Sequence, residues 1–373
     1  MNFKVSSSLL YERLQIASKF IAAKPAIPVY GYFLFSVEGN QLTVTASDSD
    51  TSLSTKLEIE NLAGNGRVAI QSNVLNDVIK EMREQPLTFD IDDHNYSITM
   101  TSDTGKYNFM GQNAADYVEF SGLNADDTDA FKMSSSVLLD AIAKTAFATA
   151  NDEIHPIMNG ICFHFVENGL NIVATDGHRL SKVTLSINPG AQKGFVLPQK
   201  SANLLKGVLA KEIGDIDITF DSKFMVFQAS AYTMVTRQIE GNYPKYDSVI
   251  PQNSNLVAIV SREQLLSSIK RIQVCSNRGS NLIKFGLSTN SLKIMGQDID
   301  FATAGEETLV CSYDGRPLEI GFKSTLVIDM LSNMDSDDVE IRLTDQSCPG
   351  LFVPVQQKEG MSIIMLAMPM MLS

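Results

Sequence analysis

Cysteine is scarce, and each one stands alone. Cys162, Cys275, Cys311 and Cys348 are far apart, and no Cys-x-x-Cys occurs. That pattern speaks against a disulfide framework or a thiol zinc site. Reduced, mostly buried thiols in a cytoplasmic protein are expected instead. Long apolar runs are missing too. The longest, "MSIIMLAMPMMLS", is too short for a bilayer and contains Pro369, so it reads as a last core strand with an apolar tail. The start, "MNFKVSSSLL", lacks the apolar core of a signal peptide. No P-loop, G-x-G-x-x-G, H-E-x-x-H or G-x-S-x-G is present, so nucleotide cradling and the common hydrolase chemistries have no motif. Positive charge is in deficit: 30 Lys and Arg against 43 Asp and Glu leave −13. Spread evenly, that charge would repel nucleic acid and anionic membranes.

What the sequence does have is repetition. "FKVSSSLLYERLQIASKFI", "FKMSSSVLLDAIAKTAFAT" and "VAIVSREQLLSSIKRIQVC" each read as a short strand, a serine and an amphipathic helix. Ser6, Ser134 and Ser261, at spacings of 128 and 127, are N-cap candidates. A second set follows in the same order, with helices entered at Ser72, Ser201 and Ser324. Between the helices lie alternating runs with hairpin signals, "EGNQ", "ENGL" and "STNS". The copies run 1–127, 128–254 and 255–373. The fold class is therefore α+β, with three tandem two-helix, antiparallel-sheet domains.

Charge divides by element type. The windows 8–22, 73–84, 136–150, 200–211, 262–276 and 323–335 hold 12 basic and 8 acidic residues. The rest of the chain holds 18 and 35. Lys200, Lys206, Lys211, Lys270 and Arg271 make the helices mildly positive. Ordinary solvated helix faces account for this as well as a surface that meets a polyanion does. No aromatics interleave with these lysines, so backbone contact with a duplex fits better than stacking on single strands. His164 reads as a sheet histidine and His155 as loop. The acidic runs "DIDD", "NADDTD" and "DSDD" lack EF-hand spacing and read as solvated turns.

The densest polar cluster is "TDGHRL" at 175–180. Its aspartate recurs in each copy, as Asp48, Asp176 and Asp298, which marks it as framework. Gly177, His178 and Arg179 occur only in the middle copy and are the functional candidates. An enzyme built on Asp176, His178 and Arg179 would need a nucleophile, metal or base that the sequence does not supply. No cofactor or metal is expected. A scaffold that uses the cluster but not the basic helices is a third reading.

"ATDGHRL", "MNG" at 158–160, "GNYPKY" at 241–246 and the terminal "MPM" together resemble bacterial DNA polymerase III β subunits, the sliding clamps, over the whole chain. The resemblance implies a non-enzymatic, head-to-tail homodimeric ring with helices lining the hole and sheets outside. Such a ring encircles duplex DNA and tethers the polymerase, the clamp loader and repair proteins through short peptide motifs. It implies a peptide pocket formed by Met158, Thr175, Gly177, His178, Arg179, Leu180, Pro244, Val249, Leu366, Met368, Pro369 and Met370. Lys24 and Lys200 match DNA-touching positions. Tyr107 and Phe109 would face Val274 and Cys275 across the dimer interface. Many relatives end Met-Pro-Met-Arg-Leu. Here Met371 replaces the arginine, Ser373 extends the tail, and Ser248 stands where arginine is common, so the pocket rim carries less positive charge.

Overall fold

The computed structural model describes residues 1–372 except Ala26, Val118, Ser121, Asn188, Pro189, Ala191 and Gln192. Ser373, noted above for extending the tail, lies outside the described residues. In chain order the elements are β1 (Asn2–Ser6), α1 (Ser7–Ala17), β2 (Tyr32–Glu38), β3 (Gln41–Ser47), β4 (Thr51–Glu58), β5 (Glu60–Ala63), β6 (Gly66–Gln71), α2 (Ser72–Lys80), β7 (Pro86–Ile91), β8 (Ser97–Thr101), β9 (Lys106–Met110) and β10 (Gln112–Asn113). Next come β11 (Asp129–Ser134), α3 (Ser135–Ala143), β12 (Gly160–Val166), β13 (Gly169–Thr175), β14 (Arg179–Leu185), β15 (Phe195–Pro198), α4 (Gln199–Leu209), β16 (Asp215–Phe220), β17 (Phe224–Gln228) and β18 (Tyr232–Arg237). The chain closes with β19 (Leu256–Ser261), α5 (Arg262–Gln273), β20 (Leu282–Ser288), β21 (Ser291–Asp298), β22 (Thr303–Val310), β23 (Leu318–Lys323), α6 (Ser324–Ser332), β24 (Asp338–Leu343), β25 (Gly350–Pro354) and β26 (Met361–Ala367). Mixed α/β content, six described α-helices and antiparallel sheets match the fold class read from the sequence.

Two compact units form. One holds Met1–Leu139 and Lys200–Gln238; the other holds Asp140–Gln199 and the residues from Ile239 onward. The first contains a sheet in the order β5-β1-β7-β8-β9 and one in the order β10-β6-β2-β3-β4-β18-β17-β16-β11. The second contains β15-β12-β13-β14-β26-β25-β24-β19 and β22-β21-β20-β23. Each longer sheet joins strands of two successive copies, through β4 with β18 and through β14 with β26, both antiparallel.

Alternation drives most strands. β1, β16 and β24 bury every second residue and solvate the other face. β13, like β25, is buried at every position. Its outer face is covered by a cluster of Val173, Leu180, Tyr246, Leu351, Val353 and Leu366. The helices are one-sided. α5 buries Leu265, Ser268, Ile269 and Ile272, one stripe at helical spacing, and each large apolar residue contributes about 1.5–3 kcal/mol by leaving water.

The serines divide into two roles. Ser6 Oγ accepts from Leu9 N, and Ser261 Oγ from Gln264 N, as N-caps do. Ser134 Oγ instead lies 2.9 Å from Ser136 Oγ. The next residue ties each first helix to the segment after the second. Ser7 Oγ donates to Arg83 O, Ser135 Oγ to Glu212 O, and Arg262 Nε to Ser336 O. Ser72 and Ser324 are buried first residues of their helices rather than caps. Ser201 lies two residues inside α4, its hydroxyl 2.7 Å from that of Thr236.

Candidate functional site

The three aspartates make one kind of turn. Asp48 Oδ1 accepts from the amides of Asp50 and Thr51 at 2.8 and 2.7 Å. Asp176 Oδ1 accepts from His178 and Arg179, both at 2.9 Å. Asp298 Oδ1 accepts from Asp300 and Phe301 at 3.0 and 3.3 Å. A short carboxylate holding the amides two and three residues on is an Asx turn, so these aspartates are framework, as their recurrence suggested. What sits on the turn differs. Gly177, at φ +83°, lets the middle copy turn tightly enough for its amide to reach Thr175 Oγ1 at 3.1 Å. The third turn is two residues longer, because Asp298 pairs with Thr303 whereas Ser47 already pairs with Ser52.

The middle turn is joined to the tail. Met368 N donates to His178 O at 2.8 Å, continuing the β14–β26 ladder past Arg179↔Ala367. Leu180 and Leu366 form a buried floor with Tyr246. Tyr243 closes one side: its hydroxyl accepts from Thr175 N at 3.2 Å and donates to Gly160 O at 3.5 Å. Met158 lies in the turn before β12, bonded through its backbone to His155 and Ala150, and Val249 ends the turn that Tyr246 begins, while Met370 N donates to Gly321 O. Met368 and Val249 are exposed, and Met371 is 90 % exposed. The result is a buried apolar patch with the exposed thioether of Met368 beside it.

Arg179 does not project as a rim charge. Its Nε donates to Asp176 Oδ2 at 3.0 Å and its Nη1 to Asp329 Oδ2 at 2.5 Å, with the guanidinium 5.4 Å from the Phe147 ring centroid. His178 is exposed. Burial pushes the Tyr246 hydroxyl up to about 12 and raises Tyr243 as well, so both phenols stay protonated as donors. The Cys162 thiol, also buried, is pushed up to about 12 and is no nucleophile. Nearby, Lys144 is 5 % exposed and bonds Asp140 at 2.7 Å and Asp335 at 2.5 Å, and Lys358 bonds Asp140 from the other side. Among the described residues no group of three or more His, Cys, Asp or Glu is placed to hold a metal ion.

Three family models match the chain in order: DNA polymerase III beta subunit, N-terminal domain at residues 1–121, central domain at 132–245 and C-terminal domain at 247–371. The chain belongs to the DNA polymerase III beta subunit family. Its role is that of the family, a processivity factor of DNA replication. The beta sliding clamp of Synechococcus elongatus is 25 % identical over 351 residues, 92 % of each chain. That of Staphylococcus epidermidis is 24 % identical over 378 residues, 99 % of each. In fold, this beta subunit is similar to the Pseudomonas aeruginosa clamp bound to griselimycin, with TM-score 0.94, 23 % identity and full coverage of both chains. The Bacillus subtilis clamp gives 0.92 at 22 % identity, again with full coverage.

Elsewhere in this beta subunit, the basic candidates separate. Lys24, Lys211 and Lys270 are exposed and Lys206 is half-buried. Lys200 is held by Asp48, and Arg271 makes two 2.7 Å bonds to Glu307, so both charges are matched within the chain. A groove of about 390 Å³ brings together Lys19 from the turn after α1, Lys80 from the end of α2 and Lys211 from just past α4. Lys19 and Lys80 were absent from the sequence candidates; they are 61 positions apart in the sequence, and only folding groups them. Tyr107 and Phe109 lie on β9, the last strand of its sheet. Val274, 82 % exposed, and Cys275 follow α5, with Cys275 packed beside Gly305 of β22. Tyr243, Tyr246 and Asp329 were also overlooked. The tyrosines stand inside the quoted "GNYPKY", where two aromatics in a polar linker were the available signal. No described helix is long and apolar enough to cross a membrane, which says nothing of a β-barrel.

Proposed function

We propose that two copies of this chain close head to tail into a ring that encircles duplex DNA without sequence readout. Three two-helix domains per chain, at 1–127, 128–254 and 255–373, turn their helices to the DNA and their sheets outward. The ring catalyses no reaction and works in the cytoplasm. It tethers the polymerase, the clamp loader and repair proteins by their short motifs in the Met158–Leu180–Met368 pocket.

The observation that carries this reading is the pair of unused strand edges. Within the chain, β4 pairs with β18 and β14 with β26. The corresponding strands left over are β22, which ends its sheet, and β9, which ends another. Both are antiparallel-ready edges with exposed apolar residues, Met110 at 68 % and Val310 at 84 %. Neither can pair with its own kind by the same geometry, so β22 of one copy meets β9 of another. The register follows. Hairpin pairs Thr101↔Lys106 and Gln228↔Thr233 make Phe109 the counterpart of Thr236. Thr51 faces Thr236, so Thr303 faces Phe109, Gly305 faces Tyr107 and Glu306 faces Lys106 of the partner. Lys19, Lys80 and Lys211, grouped at the ends of α1, α2 and α4, support a weakly basic lining, suited to sliding because strong phosphate binding would hold the ring in place.

The test is topological. The chain is loaded on nicked circular DNA, and the circle is then cut. Retention on the circle with release from the linear form is expected. Equal retention on both would refute encirclement.

A further inference from the structure

The outer face beside the aspartate turn is occupied by a tyrosine of the chain in the first two copies. In the first, buried Tyr117 packs edge-on to Tyr30 in a cluster with Val29, Leu34 and Ala69. Burial raises its hydroxyl pKa, and the buried hydroxyl makes no hydrogen bond among the described residues. In the second, Tyr243 lies between Thr175 N and Gly160 O. Ser47 and Thr175 are counterparts, each the residue before its turn aspartate. The hairpin ladders stop short at this place in both copies, β2–β3 at Leu34↔Thr45 and β12–β13 at Cys162↔Val173, and in the second the Tyr243 phenol stands where a further pair would form.

The third copy has the same face without the tyrosine. The hairpin pairs Val166↔Gly169 and Ser288↔Ser291 set the alignment. Leu282, Lys284, Met295 and Gln297 are then the counterparts of Gly160, Cys162, Val173 and Thr175. These four, with Glu319, Leu372 and the β22 residues Ala304, Gly305 and Glu306, help line an open cleft of about 630 Å³ that no tyrosine of the chain lines. That volume falls in the range of about 300–1,000 Å³ typical of ligand sites. The β20–β21 ladder here runs one pair further, to Ile283↔Gly296, as expected when no ring separates the strands. Met295 and Leu372 give the floor a flexible apolar character. The Lys284–Glu319 ion pair at 3.1 Å sets a polar lip.

We propose that this cleft is a second docking site, for an extended segment of a partner protein that carries a tyrosine. The ring lies over Met295, and the phenol hydroxyl accepts from the Gln297 amide, as Tyr243 does from Thr175. The two occupied copies identify the occupant: the same fold twice seats a linker tyrosine at this position. The cleft is distinct from the pocket around Met368, and its β22 side, Ala304, Gly305 and Glu306, borders the dimer junction proposed above.

The test uses the full chain and a fluorescein-labelled synthetic peptide of the chain's own Ile239–Tyr246 sequence, with a second peptide in which both tyrosines are alanine. The second copy's seat is already filled by its tethered linker at high effective concentration, so the peptide reports on the open cleft. Saturable binding with Kd below about 1 mM is expected for the tyrosine peptide. At least tenfold weakening is expected for the alanine peptide and for Met295→Trp, which fills the cleft, and no change for Met368→Ala. In the unmutated chain, the Met295 methyl NMR signal should shift on titration, which removes dependence on how the tryptophan variant folds. Absence of saturable binding, an unmoved Met295 methyl, or a loss confined to Met368→Ala would each overturn the proposal.

Discussion

Reversing Glu306 to lysine should weaken dimerisation, and reversing Lys106 to glutamate on the same chain should restore it. The register transferred from Thr51↔Thr236 sets these side chains opposite each other on the outer face of the β22–β9 junction. A directly opposed cross-strand ion pair contributes about 0.2–1 kcal/mol, and like charges cost a similar amount. A single reversal therefore costs about 0.4–2 kcal/mol per junction, and a ring of two chains has two junctions. Within its own chain Glu306 is also bonded to Lys293 at 2.7 Å, which draws off part of the attraction, and both side chains of that pair are solvent-screened. A net of about 1–2 kcal/mol is the working figure, about 5- to 30-fold in the dimer Kd. Mass photometry across a dilution series at fixed salt reads it directly. Glu306→Lys and Lys106→Glu should each lower the dimer fraction, and the double variant should recover most of the loss. If the double variant is as weak as the sum of the singles, the two residues do not face each other and the transferred register is wrong.

Lys144→Met removes a buried cation from between Asp140 and Asp335. About 2 kcal/mol of stability should go, below the usual buried-pair cost because Asp335 is exposed and Asp140 keeps Lys358, and urea unfolding measures it. Burial alone would raise the Asp140 carboxyl, but hydrogen bonds from Lys144 and Lys358 hold it below the usual carboxylate range. A lowered folded-state value contributes stability present above the unfolded pKa of about 3.9 and lost as pH falls through the folded value. The Tm gap between the unmutated chain and Asp140→Asn should thus be full at neutral pH and shrink under acid; a gap that widens there would contradict it. Met368→Lys, on an exposed rim, should weaken binding of a polymerase-motif peptide by at least about tenfold without changing Tm. Charge reversal of Lys19, Lys80 and Lys211 together should shorten retention on circular DNA, more at low salt than at high; insensitivity would take these lysines off the DNA face.

What the sequence disclosed were features that local chemistry decides. Ser288 and Ser291 close a two-residue hairpin whose Asn290 takes φ +55°, and such turns announce themselves in four letters. The aspartate turns were legible because their hydrogen bonds span three residues. Contacts between distant segments were not. Nothing in "YTMVTR" says that β18 continues the sheet of the preceding copy, since alternation fixes a strand's face and not its neighbour. The buried run of β13 gave no sign that a loop from 239–250 would cover it. Arg179 stood among the functional candidates, but Asp329, 150 residues away, accepts from its guanidinium. The basic groove was invisible because Lys19, Lys80 and Lys211 come from three distant segments, at or just past the ends of α1, α2 and α4.

The strand junctions have one more consequence. β4 with β18 and β14 with β26 are ladders between segments of a single covalent chain. If either opens, its strands stay within linker reach, at an effective concentration that flexible tethers hold near the millimolar range, and they close again quickly. The β22–β9 ladder of the proposed ring has no tether. Once both such junctions part, reclosure depends on how many other protomers are in solution. Chemically similar ladders would thus differ in persistence only through chain continuity, and a ring of this kind has its gate where one polypeptide gives way to the next.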